Sequence, residues 1–349
     1  MTGADGRGCR LGLAGAGNVA RRHAAVLSGF ADVELVGVAD VVSSSARRLA
    51  AEYGIRAFPD LTSLVETGLD ALYICVPPFA HGQAERTAVE AGLPIFVEKP
   101  VAADLGTASR IAGLVARRAV PTSVGYHWRY LDGVERARDL LAGRPVRAVR
   151  AAWLDRTPSA PWWCRRDASG GPVVEQGSHL LDVLRLLVGE VAEVIAYGDG
   201  TPPPVPEADI DGVTAAMLRF TGGAVGTLMS ASVLDWRHCA GVEIVADGLV
   251  LTLAEDELVV RDGDGVRRYG ADPRAARTAV DRAFVDLVRG IGDDVRSPYP
   301  DALRTHQLAC AVAESALTGR PVRPRADLPS AGARTGPAGA AAPPLAVRP

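Results

Sequence analysis

The chain has 349 residues, of which 48% are hydrophobic, 23% charged and 5% aromatic, a balance that suits two globular α/β domains and excludes a disordered chain. A net charge of -3 offers no positive field for nucleic acid, and no apolar run approaches the roughly 20 residues of a membrane span, so neither partner is expected. Five scattered cysteines without a CxxC pair predict reduced thiols, with no disulfide or zinc framework; together with the lack of a recognisable signal segment they predict a cytoplasmic protein.

After a loose leader over 1–8, Cys9 begins a strand, a glycine-rich turn and a helix: CRLGLAGAGNVARRHAAVL. Next come an apolar run at 33–40, a helix over 43–54, a short strand at 56–58, a further helix and a strand at 70–76. A helix over 80–91, a strand at 94–97, a helix over 104–118 and a strand at 122–126 follow. Strands apolar on both faces, alternating with helices, predict a parallel sheet covered on each side: a Rossmann-type, doubly wound nucleotide-binding domain over 9–126.

Within its first turn, Gly15-Ala16-Gly17-Asn18-Val19-Ala20 fits G-x-G-x-x-G/A between strand and helix. Gly15 permits the tight turn, and Gly17 lets backbone approach a pyrophosphate. Asn18 and Val19 open the helix whose free N–H groups face the phosphates. Asp40 ends the next strand, where a carboxylate accepts from ribose hydroxyls and repels a 2′-phosphate. This favours NAD over NADP. A second reading has Asp40 capping the helix near Ser43, and Ser43–Ser45 with Arg47 could host a 2′-phosphate.

The remainder predicts an α+β domain over 127–325. A helix over 130–142, a strand at 146–154, a Pro/Trp/Arg loop and a helix over roughly 173–188 lead into seven strand candidates between 191 and 270. Such a series predicts an open, mostly antiparallel sheet. Helices over 273–290 and 301–318 close the fold, and the Pro/Ala/Gly/Arg text of 326–349 reads as a disordered tail.

Of 38 basic residues only Lys99 is lysine; the other 37 are arginine. High-GC coding explains the depletion. A surviving lysine under that bias marks a place where a compact ammonium is needed and a planar guanidinium fails.

Lys99 lies in Glu98-Lys99-Pro100. With Ile74-Cys75-Val76-Pro77-Pro78…His81 and the run Gly170-Gly171-Pro172-Val173-Val174-Glu175-Gln176-Gly177-Ser178-His179-Leu180-Leu181-Asp182, it resembles the glucose–fructose oxidoreductase/inositol dehydrogenase family. The resemblance runs from Arg10 to about Val322. It implies Lys99, His179 and Glu175 as catalytic residues, and Pro77, His81, Glu98 and Lys99 beside the cofactor. An ammonium stabilises charge on the reacting oxygen, while an imidazole moves its proton near neutral pH. Glu175 and His179, four apart on a helix, share a face, and Asp182 could orient His179. The family often has Asp where this chain has Glu175, so substrate contact and an orienting role both stand. A metal held by this pair with His81 or His127 would need more ligands than the spacing offers.

Tyr126, His127, Trp128 and Arg129 follow the last parallel strand, at the edge where ligands bind. Trp162 and Trp163 could stack on a sugar or cyclitol ring, or simply anchor their loop, and Arg165 suits an acidic group. His81 could equally cap or pack a helix. The leading expectation is NAD-dependent interconversion of a secondary alcohol and a ketone on a sugar, nucleotide sugar or cyclitol. The alternatives are a same-family enzyme using a transient keto intermediate for elimination or glycoside cleavage, and a non-catalytic NAD/sugar sensor. A homodimer or homotetramer joined through the second sheet is also expected.

Overall fold

A computed structural model of the chain describes residues 8–324; the tail expected over 326–349 and the leader through residue 7 lie outside the described residues. Six parallel strands form the first sheet: β1 (Cys9–Ala14), β2 (Val33–Ala39), β3 (Arg56–Phe58), β4 (Ala71–Ile74), β5 (Ile95–Val97) and β6 (Thr122–Val124). Their spatial order is β3-β2-β1-β4-β5-β6, so the winding reverses between β1 and β4, where a doubly wound sheet opens a crevice for ligands. Every residue of β4 and β5 is buried, which is why these strands read as unbroken apolar text. Helices α1 (Asn18–Leu27), α2 (Ser43–Tyr53), α3 (Leu61–Val65), α4 (Gln83–Glu90) and α5 (Leu105–Arg118) lie between the strands in sequence.

After α6 (Asp132–Leu141) the chain enters an eight-stranded sheet. Its members are β7 (Val146–Arg156), β8 (Val191–Gly198), β9 (Val213–Phe220), β10 (Val225–Leu234), β11 (Cys239–Ala246), β12 (Leu249–Ala254), β13 (Glu257–Asp262) and β14 (Gly265–Gly270). The order is β14-β13-β12-β11-β7-β10-β9-β8, antiparallel except for the parallel β7–β10 pair. Along β9, buried and more accessible residues alternate strictly, as a sheet with one covered face requires. The cover comes from α8 (Ser178–Val188), packed on β7 and β11, and from α10 (Tyr299–Thr318), packed on β8. A short α7 (Arg166–Ser169) lies in the loop before α8.

The last helices tie the two halves together. α9 (Pro273–Arg289) packs on α1 and on the turn at 127–130, and α10 packs on α5 and β6. Among the described residues no helix is long and apolar enough to cross a membrane.

Candidate active site

The carboxyl ends of the parallel strands bring together the glycine loop after β1, Asp40 after β2, Val76 and Pro77 after β4, and Glu98-Lys99 after β5. Gly15 has φ +96°, and a Cβ there would come within 2.4 Å of the Cys75 carbonyl oxygen, so both backbone conformation and space demand glycine. Gly17 is different: a Cβ there meets no protein atom within 4 Å. The space beside its backbone is open, as a cradle for a pyrophosphate requires. α1 starts directly behind it with no side-chain cap, leaving backbone N–H groups of Asn18 and Val19 available. Asp40 accepts the Ala16 N–H at Oδ2 (2.7 Å) and the Val42 N–H at Oδ1 (2.7 Å). It does not cap α2, whose N-cap is Val42. It ties the glycine loop to the end of β2, with lone pairs to spare on each oxygen.

The run from Gly170 to Asp182 enters α8 through a π-turn over Val173–Gly177. Such a turn widens the helical register and loosens its ladder, and it recurs at functional sites. Here the Glu175 carbonyl accepts from Lys99 Nζ at 2.8 Å, and Glu175 Oε1 accepts from the same ammonium at 3.1 Å. Trp163 Nε1 donates to Glu175 Oε2 at 3.0 Å. Both carboxylate oxygens are thus engaged, and the ammonium, with three hydrogens, keeps one donor free.

His179 lies in an aromatic cage. Its ring stacks on Trp128 (6.1 Å, 21°) and Trp153 (6.0 Å, 16°), and meets Tyr126 and His127 edge-on at 5.8 and 5.1 Å. Nδ1 is sealed without a hydrogen-bond partner; Nε2 is not sealed. Burial, with the Lys99 charge adding to it, holds the imidazole pKa well below its ordinary 6.5, so the ring is neutral near neutral pH.

Several expected site residues do other work. Asp182 does not reach His179 as an orienting partner. Its carboxylate takes Nε and Nη2 of Arg129 at 2.7 and 2.6 Å and the Thr305 hydroxyl at 2.7 Å. Arg129 also pairs with Asp301 at 2.6 Å. Arg129 and Asp182 are buried, and this network joins the 127–130 turn to α8 and α10. Tyr126 is fully buried as a wall of the cage. His127 is also buried, its Nε2 bound to Glu255 at 3.1 Å. Trp163 anchors its loop in a small cluster with Cys164 and Ile210, against which Trp162 packs half-buried; Arg165 is exposed and paired with Asp167. His81, just ahead of α4, is buried, and its Nδ1 meets the buried Glu85 at 2.5 Å. Glu98 faces inward, toward His23, and not into the crevice.

Trp128 lies inside the Tyr126–Arg129 run that the sequence places at the sheet edge. Sequence reasoning missed Trp153, Glu255, His23 and Asp281, which sit on elements that only the tertiary fold brings together. Among the described residues no three His, Cys, Asp or Glu side chains form a metal-binding group.

Comparison with known proteins places this geometry. Residues 9–126 match an oxidoreductase family with an NAD-binding Rossmann fold, and residues 136–248 match the GFO/IDH/MocA C-terminal domain. Inositol 2-dehydrogenase of Rhizobium meliloti is 32% identical over 186 residues, covering 52% of this chain and 55% of that protein. Myo-inositol dehydrogenase Hyg17 of Streptomyces leeuwenhoekii is 28% identical over 336 residues, 90% of this chain and 99% of its own. Among solved structures, levoglucosan dehydrogenase in complex with NADH and levoglucosan superposes with a TM-score of 0.82 at 20% identity, covering 91% of this chain and 100% of that one. At that identity the likeness carries the fold.

Proposed function

Because the chain belongs to the oxidoreductase family with an NAD-binding Rossmann domain and a GFO/IDH/MocA C-terminal domain, we propose that it uses NAD to interconvert a secondary alcohol and a ketone on a sugar, nucleotide sugar or cyclitol. The observation that carries this reading is the meeting of the sole lysine with Glu175 on the turn that leads into His179. The names of the relatives, inositol and sugar dehydrogenases, support the substrate class.

Gly15, Gly17 and the N–H groups of Asn18 and Val19 would hold the pyrophosphate, Asp40 the adenosine ribose, and Pro77 would line the crevice between them and Lys99. When bound, the cofactor supplies the hydride acceptor, or the donor in the reverse direction. The chain's own task is the hydroxyl proton. Lys99 presents its free N–H to the reacting oxygen and stabilises the negative charge that develops there. His179, kept neutral, accepts the proton at Nε2 during oxidation and returns it during reduction. Glu175 does not touch the substrate in this scheme. Held by Trp163, it aims the ammonium. A pure sensor would need neither an aimed ammonium nor a caged neutral imidazole.

The test is a panel of inositols, sugars and nucleotide sugars with NAD, read by the absorbance of the reduced nicotinamide. Turnover on one class establishes the reading. Cofactor binding with no turnover on any member would favour the sensor.

The uncovered face of the second sheet supports self-association. One cross-strand row reads Tyr197, Ala215, Met229, Ala152 and Gly241, small or apolar throughout, with Tyr197 and Met229 exposed at 60% and 46%. A flat apolar row of this kind suits pairing with a second copy. All five cysteines are free, which supports a reducing, cytoplasmic setting.

A further inference from the structure

His23 lies on the buried face of α1, one turn behind the glycine loop. Its Nδ1 meets both carboxylate oxygens of Asp281 on α9, at 2.8 and 3.0 Å, and its Nε2 meets Glu98 Oε1 at 2.8 Å. Exposure is 3% for His23, 1% for Asp281 and 5% for Glu98. The other oxygen of Glu98 accepts the backbone N–H of Lys99 at 3.1 Å. The Glu98 carboxyl group lies against Gly125, where a Cβ would come within 2.7 Å of it, so glycine at 125 leaves it the room it occupies. A continuous bridge therefore runs from α9 through α1 to the peptide that carries the lone lysine.

Two ionised carboxylates can only accept, so a ring bound to both through its two nitrogens must donate from each, as an imidazolium. Burial opposes that charge, and it also raises the pKa of Asp281, against which the His23 charge acts; Asp281 and Glu98 together nonetheless raise the His23 pKa to about 9, while His23 and Arg22 hold Glu98 down to about 2. The ring itself packs on Tyr73 and Phe96, at 5.3 and 5.0 Å. Arg22 of α1 approaches Glu98 at 3.5 Å, and Arg277 and His127 complete the surround. Three buried charges are a poor device for stability, since apolar residues of the same volume commonly do as well. They are a good device for placement, because each hydrogen bond has a direction and none has a competing water.

We infer that His23 is a positioning residue for Lys99: by tying Glu98 to Asp281 it fixes the turn that presents the ammonium and couples that turn to the helix behind the glycine loop. The inference rests on the proposed role of Lys99, but its test does not depend on turnover. Because the chain has one lysine, protein labelled with carbon-13 at the lysine Cε gives a single lysine resonance that reports Lys99 alone. In His23→Gln that resonance should move or split. The kcat should fall roughly 10- to 100-fold, as displacements near 1 Å commonly cause, with KM for the alcohol little changed. A single resonance identical to wild type in position overturns the inference, whatever the rate does. A shifted resonance with unchanged kcat upholds the positioning and instead sinks the catalytic role of Lys99. Should His23→Gln not fold, Asp281→Asn, which keeps shape and one acceptor, carries the same measurement.

Discussion

At the scale of single residues the site is built from groups kept in one protonation state. Burial in an aromatic cage beside Lys99 keeps His179 neutral, and a neutral imidazole is the form that can accept a proton. Since its pKa is displaced downward from 6.5, the base stays competent as pH falls through that value. The acid limb of kcat for alcohol oxidation, measured with both substrates saturating, should therefore lie below pH 6.5. A limb centred at or above 6.5 would show that the titrating base is elsewhere. Lys99 and His179 are nominated by the sequence, because they lie in motifs that resemble the family's and the lysine stands alone. The cage is not: Trp128 and Trp153 come from a turn and a strand whose meeting depends on the packing of α8 against β7. His23 was hidden for a related reason. It falls in the stripe Ala20, His23, Ala24, Leu27, which reads as the core face of an amphipathic helix, and Asp281 lies 258 positions away.

Among elements, α8 has two faces of different purpose. Its first turn carries His179, the base of the proposed reaction, while Asp182, one turn further, holds the helix to the rest of the molecule through Arg129 and Thr305. Spacing alone put Asp182 within reach of His179, but a helix position three residues on can point to either neighbour, and a buried guanidinium competes better for a carboxylate than a neutral ring does. Asp182→Ala leaves Arg129 buried with Asp301 as its remaining acidic partner. Loss of one partner in a buried pair costs about 3–5 kcal/mol. Urea unfolding should show a loss of that order, with kcat per folded molecule near wild type. A variant as stable as wild type would contradict the structural role. The strands themselves were legible throughout, since unbroken apolar runs mark the parallel sheet and strict alternation marks β9. The π-turn at 173–177 was not, because nothing in its side chains distinguishes it from an ordinary first helical turn.

Across the whole molecule, the two sheets are joined by helices that return from the end of the chain, and the second sheet leaves one face uncovered. If that face pairs with a second copy, a charge in the middle of its apolar row should separate the copies. Met229→Arg should lower the mass found by light scattering from a dimer or tetramer to a monomer, while the fold persists because Met229 points away from the core. A monomeric wild type at working concentration would refute the pairing.

These scales converge on one ammonium, aimed by Glu175 and set beside a neutral histidine. The direct measurement is kcat for Lys99→Arg, with NAD affinity and Tm alongside. Arginine keeps the charge but is larger, planar and unable to release a proton, and loss of one well-placed acid–base or oxyanion-stabilising group costs about 100-fold or more. The account predicts a fall of that order with NAD affinity and Tm retained. Near-normal kcat would contradict it.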